Sequence, residues 1–135
     1  MPRKARIADA ILAVLSDSER HAWTLDELHD GLARLGLESD FSSVFRAAEK
    51  LVAGGMVRKL FLDDGRTRLE LVATHHDHLH CMRCDALVPI LCEIGHGEIV
   101  TLERETGAAI TDHHLILSGI CGNCRAAAVA GANDR

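Results

Sequence analysis

With 135 residues, 47 % of them hydrophobic, the chain has the size of one ordinary domain or two very small ones and can bury a core, which excludes a disordered tail. Its formal charge is −5, but residues 1–70 carry eleven Lys/Arg against twelve Asp/Glu and residues 71–135 carry four against eight, so the acidity lies mostly in the second half. No run of 18 apolar residues occurs, and Met1-Pro2-Arg3-Lys4-Ala5-Arg6 leads into an amphipathic segment, so neither a membrane span nor a signal peptide is expected and the cytoplasm is the expected location.

Residues 5–16 are expected to form a helix, because Ile7, Ile11, Leu12 and Leu15 recur at helical spacing before Ser16-Asp17-Ser18 ends the run. Thr24-x-x-Glu27 is a capping box, and Leu25, Leu28, Leu32 and Leu35 make an apolar stripe up to Gly36. A third helix opens after Asp40 or Ser42 and stops at Gly54-Gly55. Its Val44, Ala48 and Leu51 share one face, while Ser43, Arg46 and Lys50 lie near the other. Two strands, over 56–62 and 67–72, follow with the hairpin signal Asp63-Asp64-Gly65-Arg66 between them. Three helices and a hairpin predict a winged helix-turn-helix over residues 1–73, an arrangement that sets a short helix in a major groove and a wing against phosphates. Ser42, Ser43, Phe45, Arg46 and Lys50 are the expected DNA contacts on the helix. Arg58, Lys59, Arg66 and Arg68 on the hairpin are placed to hold phosphates.

Periodicity and charge change near Ala73-Thr74, where a second unit over residues 74–125 begins. It opens on His75-His76-Asp77-His78-Leu79-His80-Cys81-Met82-Arg83-Cys84, whose four imidazoles, carboxylate and two thiols exceed what packing requires. If this stretch is a strand, His76, His78 and His80 project from one face and His75, Asp77 and Leu79 from the other, so that it feeds two metal centres. Cys81-x-x-Cys84 and Cys121-x-x-Cys124 have the spacing at which tight turns present four thiolates to one ion. The rival reading is a redox dithiol, and the rival for the histidines is a solvated polar strand. Cys92 stands outside both pairs and is read as a core cysteine, with a reactive thiol as the rival reading. Strands over 76–81, 86–91 and 110–118 and a helix over 97–106 ended by Gly107 complete the unit, while 126–135 has no periodicity and is read as a disordered tail. The fold class is therefore α+β, an N-terminal winged helix-turn-helix followed by a small α/β dimerisation domain. A thin core of about 60 residues calls for a metal and a partner subunit.

This order of elements, with Arg68-Leu69-Glu70-Leu71-Val72-Ala73-Thr74 running into the histidine segment and with Ser43-Val44-Phe45-Arg46 near the start of the third helix, resembles the ferric uptake regulator family of metal-dependent repressors. The resemblance covers residues 20–125 and implies a homodimer on a double-stranded DNA operator. The rival of an enzyme, a zinc hydrolase or thiol oxidoreductase, is not expected, because the four-cysteine set leaves no open coordination position and no Ser-His-Asp elbow, phosphate loop or lone activated thiol is apparent; no small organic substrate and no membrane partner are expected either. It implies a structural Zn(2+) on Cys81, Cys84, Cys121 and Cys124. It also implies an interdomain sensing site of His21, Glu70, His76 and His78 for a second divalent ion, Fe(2+), Zn(2+) or Mn(2+). A third site would use His75, Asp77 and His113, with His96 where the family usually has Glu. Three departures from the family pattern stand out, of which the last bears on the type. Most of an extra basic N-terminal helix is missing, Phe45 replaces the usual Tyr, and Glu70 stands where peroxide sensors have Asp, with none of the cysteine that zinc sensors place before the histidines. The pattern favours an iron-type sensor over a zinc- or peroxide-responsive one. A zinc-stabilised interaction module without DNA binding is the alternative from another class.

Overall fold

The computed structural model describes residues 2–17, 20–73, 75–92 and 94–133. The chain divides into two compact units, Met1–Ala73 and Thr74–Arg135. Ser18, expected as part of the first helix stop, Thr74 at the expected boundary, and residues 134–135 of the expected tail lie outside the described residues.

In the first unit, α1 (Arg3–Leu15) buries Ile7, Ile11, Val14 and Leu15. Helix α2 (Leu25–Arg34) opens on the complete capping box: the Glu27 amide donates to Thr24 Oγ1 at 3.1 Å and the Thr24 amide to Glu27 Oε1 at 3.0 Å. Its apolar stripe ends at Leu32, because Leu35 is a non-helical cap residue and is 60 % exposed. Gly31 lets α1 approach closely, since a Cβ there would come to 3.0 Å from Val14 Cγ1. Helix α3 (Phe41–Ala53) buries Val44, Ala48 and Leu51 against the same core. Strands β1 (Val57–Phe61) and β2 (Thr67–Leu71) pair antiparallel. The Trp23 backbone bridges Leu69 with two hydrogen bonds, of 2.9 and 2.7 Å, which fastens the wing to the helices.

In the second unit, β3 (Asp77–Cys81) is the central strand, antiparallel to β4 (Leu87–Ile90) and parallel to β5 (Ile116–Gly119). Helix α4 (His96–Thr106) lies between β4 and β5 in sequence and ends at Gly107, whose φ of 73° needs no β-carbon. The expected strand over 110–118 is shortened to β5, because side chains take the amides ahead of it. Ile110 N–H donates to Glu103 Oε2, His113 N–H to Asp112 Oδ1 and Leu115 N–H to Asp77 Oδ1. Helix α5 (Gly122–Asn133) occupies ground that the sequence reading leaves without an element; the Ala126-Ala127-Ala128 run has the highest intrinsic helix propensity, so no periodic apolar stripe is needed. The buried hydrophobic residues described in this unit are Cys81 and Cys121 alone, and its other buried residues are Asp77, His78 and His80. Helix α4 buries none, and Leu91, Leu102 and Leu117 are exposed. Among the described residues no helix is long and apolar enough to cross a membrane.

Candidate metal centres and nucleic-acid surface

The turn after β3 and the start of α5 bring the two Cys-x-x-Cys pairs together. Cys81 Sγ lies 3.8 Å from Cys124 Sγ, and Cys84 Sγ lies 3.8 Å from Cys121 Sγ. A zinc ion held 2.3 Å from four tetrahedral sulfurs would separate them by about 3.8 Å, so the donor set fits that ion without rearrangement. The amides of Cys121, at 3.3 Å, and Cys84, at 3.5 Å, point at Cys81 Sγ and hold its thiol down at about 6. The neighbouring Cys121 thiol, burial and the Cys84 thiol push Cys124 up to about 12. Four thiols in this space cannot all ionise without a cation among them. Asp85 completes the turn in the left-handed region, φ 67°, with its amide on Cys81 O, and its carboxylate takes His80 Nε2 at 2.6 Å. His80 therefore supports the turn, although its sequence position alternates with the other histidines.

The candidate ligands on β3 and just before it fall into two further groups. On one side the His76 and His78 rings are 4.6 Å apart, and His78 stacks on His114 at 5.0 Å with Nδ1 3.3 Å from His114 Nε2. On the other side Asp77 is fully buried and meets His75 and His113, whose Nε2 atoms are 3.0 Å apart and each 3.7 Å from a carboxylate oxygen. Burial alone would raise Asp77, yet the Leu115 amide, the Cys92 thiol and the two imidazoles hold its carboxyl below the ordinary value. His96 is not in this group. It is the exposed first residue of α4, and Cys92 instead closes on His113, with Sγ 3.2 Å from Nε2. The position of Cys92 beside His113 is not legible in the sequence, because a single cysteine outside a spaced pair carries no spacing signal. In the first unit, Glu70 on β2 is 1 % exposed, and its Oε2 lies 2.5 Å from His21 Nε2.

Helix α3 carries the expected nucleic-acid contacts. Asp40 caps it by accepting the Ser43 hydroxyl, at 2.7 Å, and the Ser43 amide, at 3.1 Å, which lowers the Asp40 carboxyl and commits the Ser43 side chain locally. Ser42, Phe45, Arg46 and Lys50 are exposed. A cleft of about 380 Å³ beside them is lined by Arg3, Arg46 and Lys50, so Arg3 is a cation that the sequence reading did not single out. On the wing Arg66 is exposed, as expected. Arg68 is not a surface cation: it is 3 % exposed, donates to Asp64 at 2.7 and 3.3 Å and to Arg66 O at 2.8 Å, and holds Asp64 at about 2. Lys59 is likewise taken up by Glu49, at 2.5 Å.

Comparison with known proteins places these features in a family. The model described as the ferric uptake regulator family matches residues 3–118. The ferric uptake regulation protein of Yersinia pestis is 32 % identical over 122 residues, which span 85 % of this chain and 80 % of that protein. The Vibrio cholerae ferric uptake regulator has a similar structure, with a TM-score of 0.73 and 27 % identity over 85 % of this chain and 88 % of that one. FurB from M. tuberculosis, described as a zinc uptake regulator, is similar with a TM-score of 0.52 and 25 % identity, over 91 % of this chain and 95 % of that one.

Proposed function

The chain belongs to the ferric uptake regulator family, and on that premise we propose that it is a cytoplasmic, metal-responsive transcriptional repressor that acts as a homodimer on double-stranded DNA operators. Cys81, Cys84, Cys121 and Cys124 hold a structural Zn(2+), a role supported by sulfur spacings that suit a tetrahedral ion. His21, Glu70, His76 and His78 hold the regulatory ion. The observation that carries this reading is that each unit presents half of a ligand set: a fully buried glutamate against His21 in the first, and two adjacent imidazoles, His76 and His78, in the second. A metal that needs both halves favours the one arrangement of the units in which they meet. The repressor's two reading heads are then held at a fixed spacing, and the ion stabilises the DNA-competent state by its differential affinity.

Three imidazoles and a carboxylate suit Fe(2+), and the relatives named as iron regulators support an iron-type sensor. The same donors accept Mn(2+) or Zn(2+), and the similarity to a zinc uptake regulator supports zinc as the second reading. Ser42, Ser43, Phe45, Arg46 and Lys50 on α3 form the reading surface, and Arg66 on the wing holds phosphate. Dimerisation through the second unit is supported by its exposed Leu91, Leu102 and Leu117 and by α4, which has no fully buried residue. Electrophoretic shift of operator DNA across titrations with each metal tests the proposal. His76→Ala should keep the dimer and its zinc but lose the metal response. A His76→Ala protein that responds as the parent does would refute the sensing assignment, and a metal-loaded parent that shifts no DNA would leave an interaction module.

A further inference from the structure

We propose that Cys92 is a metal ligand, completing with His75, Asp77 and His113 a mixed thiolate, imidazole and carboxylate site that takes a zinc-type ion in preference to Mn(2+) or Fe(2+). The inference rests on the regulator reading above and gives the site behind β3 its donor set and metal class. Four donor atoms of three chemical kinds converge within 4.8 Å of one another. The closest separations, 3.0 Å between the imidazole nitrogens, 3.2 Å from sulfur to His113 Nε2 and 3.7 Å from each imidazole to the carboxylate, lie within a few tenths of an ångström of the roughly 3.3–3.6 Å between ligands of a small tetrahedral cation.

The protein's own hydrogen bonds account for the cluster only in part, since they join His113 Nε2 to His75 Nε2 and to Cys92 Sγ. Asp77 is completely buried, and while its Oδ1 accepts the Leu115 amide at 3.1 Å, its Oδ2 is reached by no hydrogen bond of ordinary geometry and has the His113 imidazole at 3.7 Å. A buried carboxylate oxygen without a full hydrogen bond is costly, and a cation among the four groups would satisfy it. A thiolate in the set changes which cation that is. Manganese prefers oxygen ligands, whereas sulfur together with imidazole selects zinc and its spectroscopic substitute cobalt. His96 would supply no such preference, and it stands exposed at the start of α4.

The test uses the full chain with zinc already in the four-cysteine site, titrated with Co(2+). The parent should develop a thiolate-to-cobalt charge-transfer band in the near ultraviolet. Cys92→Ser should keep its structural zinc and its dimer, lose the band and bind added zinc roughly tenfold or more weakly, since losing a ligand costs at least as much as losing a group that supports one. Cys92→Asp should bind cobalt without the band. His76→Ala should retain the band, so that failure of the sensing assignment is read separately from failure of this one. Should the serine variant not fold, alkylation of the parent decides: added zinc or cobalt should protect Cys92 from iodoacetamide. A parent without the band, a band undiminished in Cys92→Ser, or equal alkylation with and without metal would overturn the proposal.

Discussion

Replacing Cys121 with Ser removes one corner of the four-sulfur set and should unfold the second unit. Burial gives that unit little to fall back on, because its only buried hydrophobic side chains among the described residues are Cys81 and Cys121 themselves. Each aliphatic side chain fully buried in a core contributes about 1.5–3 kcal/mol, and here none is fully buried. A structural zinc contributes on the order of 10 kcal/mol, comparable to the whole stability of an ordinary domain at about 5–15 kcal/mol. The S···S separations of 3.8 Å already suit the ion, so little of that is spent on rearrangement. Elemental analysis, far-ultraviolet circular dichroism and sedimentation should show a zinc-free protein that has lost part of its secondary structure and dissociated. Trp23, the one tryptophan, lies in the separate core of the first unit, and its fluorescence should persist. A zinc-free Cys121→Ser dimer that melts where the parent does would refute the structural role.

Arg46→Ala should weaken operator binding by roughly 1–3 kcal/mol more than it weakens binding to random DNA, if its guanidinium pairs with a guanine edge. Equal losses on both DNAs would mean that α3 does not read sequence. Arg66→Gln should weaken both alike and reduce the salt dependence by about one unit of slope, as expected when one phosphate contact is removed; an unchanged slope would take Arg66 out of the interface. Asp64, held at about 2 by its hydrogen bonds to Arg68 against an ordinary 3.8, is a carboxylate lowered by folding. Its contribution is therefore complete above pH 3.8 and is lost as the pH falls through about 2. Asp64→Asn should lower the denaturant midpoint of Trp23 fluorescence at neutral pH, with the deficit shrinking across that acid window, and a deficit independent of pH would assign it to packing.

The first unit was legible because its helices advertise both their faces and their ends. Val44, Ala48 and Leu51 are buried as their spacing required, and Thr24 and Glu27 cap each other as their separation required. Arg68 was misread because an arginine in a hairpin looks like a surface cation, while pairing with Asp64 and the Arg66 carbonyl lets it be buried. In the second unit the paired cysteines and the alternating histidines were visible because their chemistry follows a local period. Cys92 and the shortening of β5 were not, since both depend on where the chain returns beside Asp77, and no local spacing encodes that return.

The central strand of the second unit also constrains how this chain can change. Asp77 is directed to one candidate ligand group, His78 to another and Cys81 to a third, all within five residues whose register is set by β4 on one side and β5 on the other. Parity matters here more than composition. Inserting or deleting a single residue just before Asp77 would turn His75 and His76 to the opposite sides of the chain from those they now occupy and would scramble both histidine groups at once, whereas a change of two residues would preserve the sidedness. Substitutions can therefore retune each candidate metal position separately, but the length of the segment ties the histidine groups together, and descendants of this chain should vary here in residue type long before they vary in spacing.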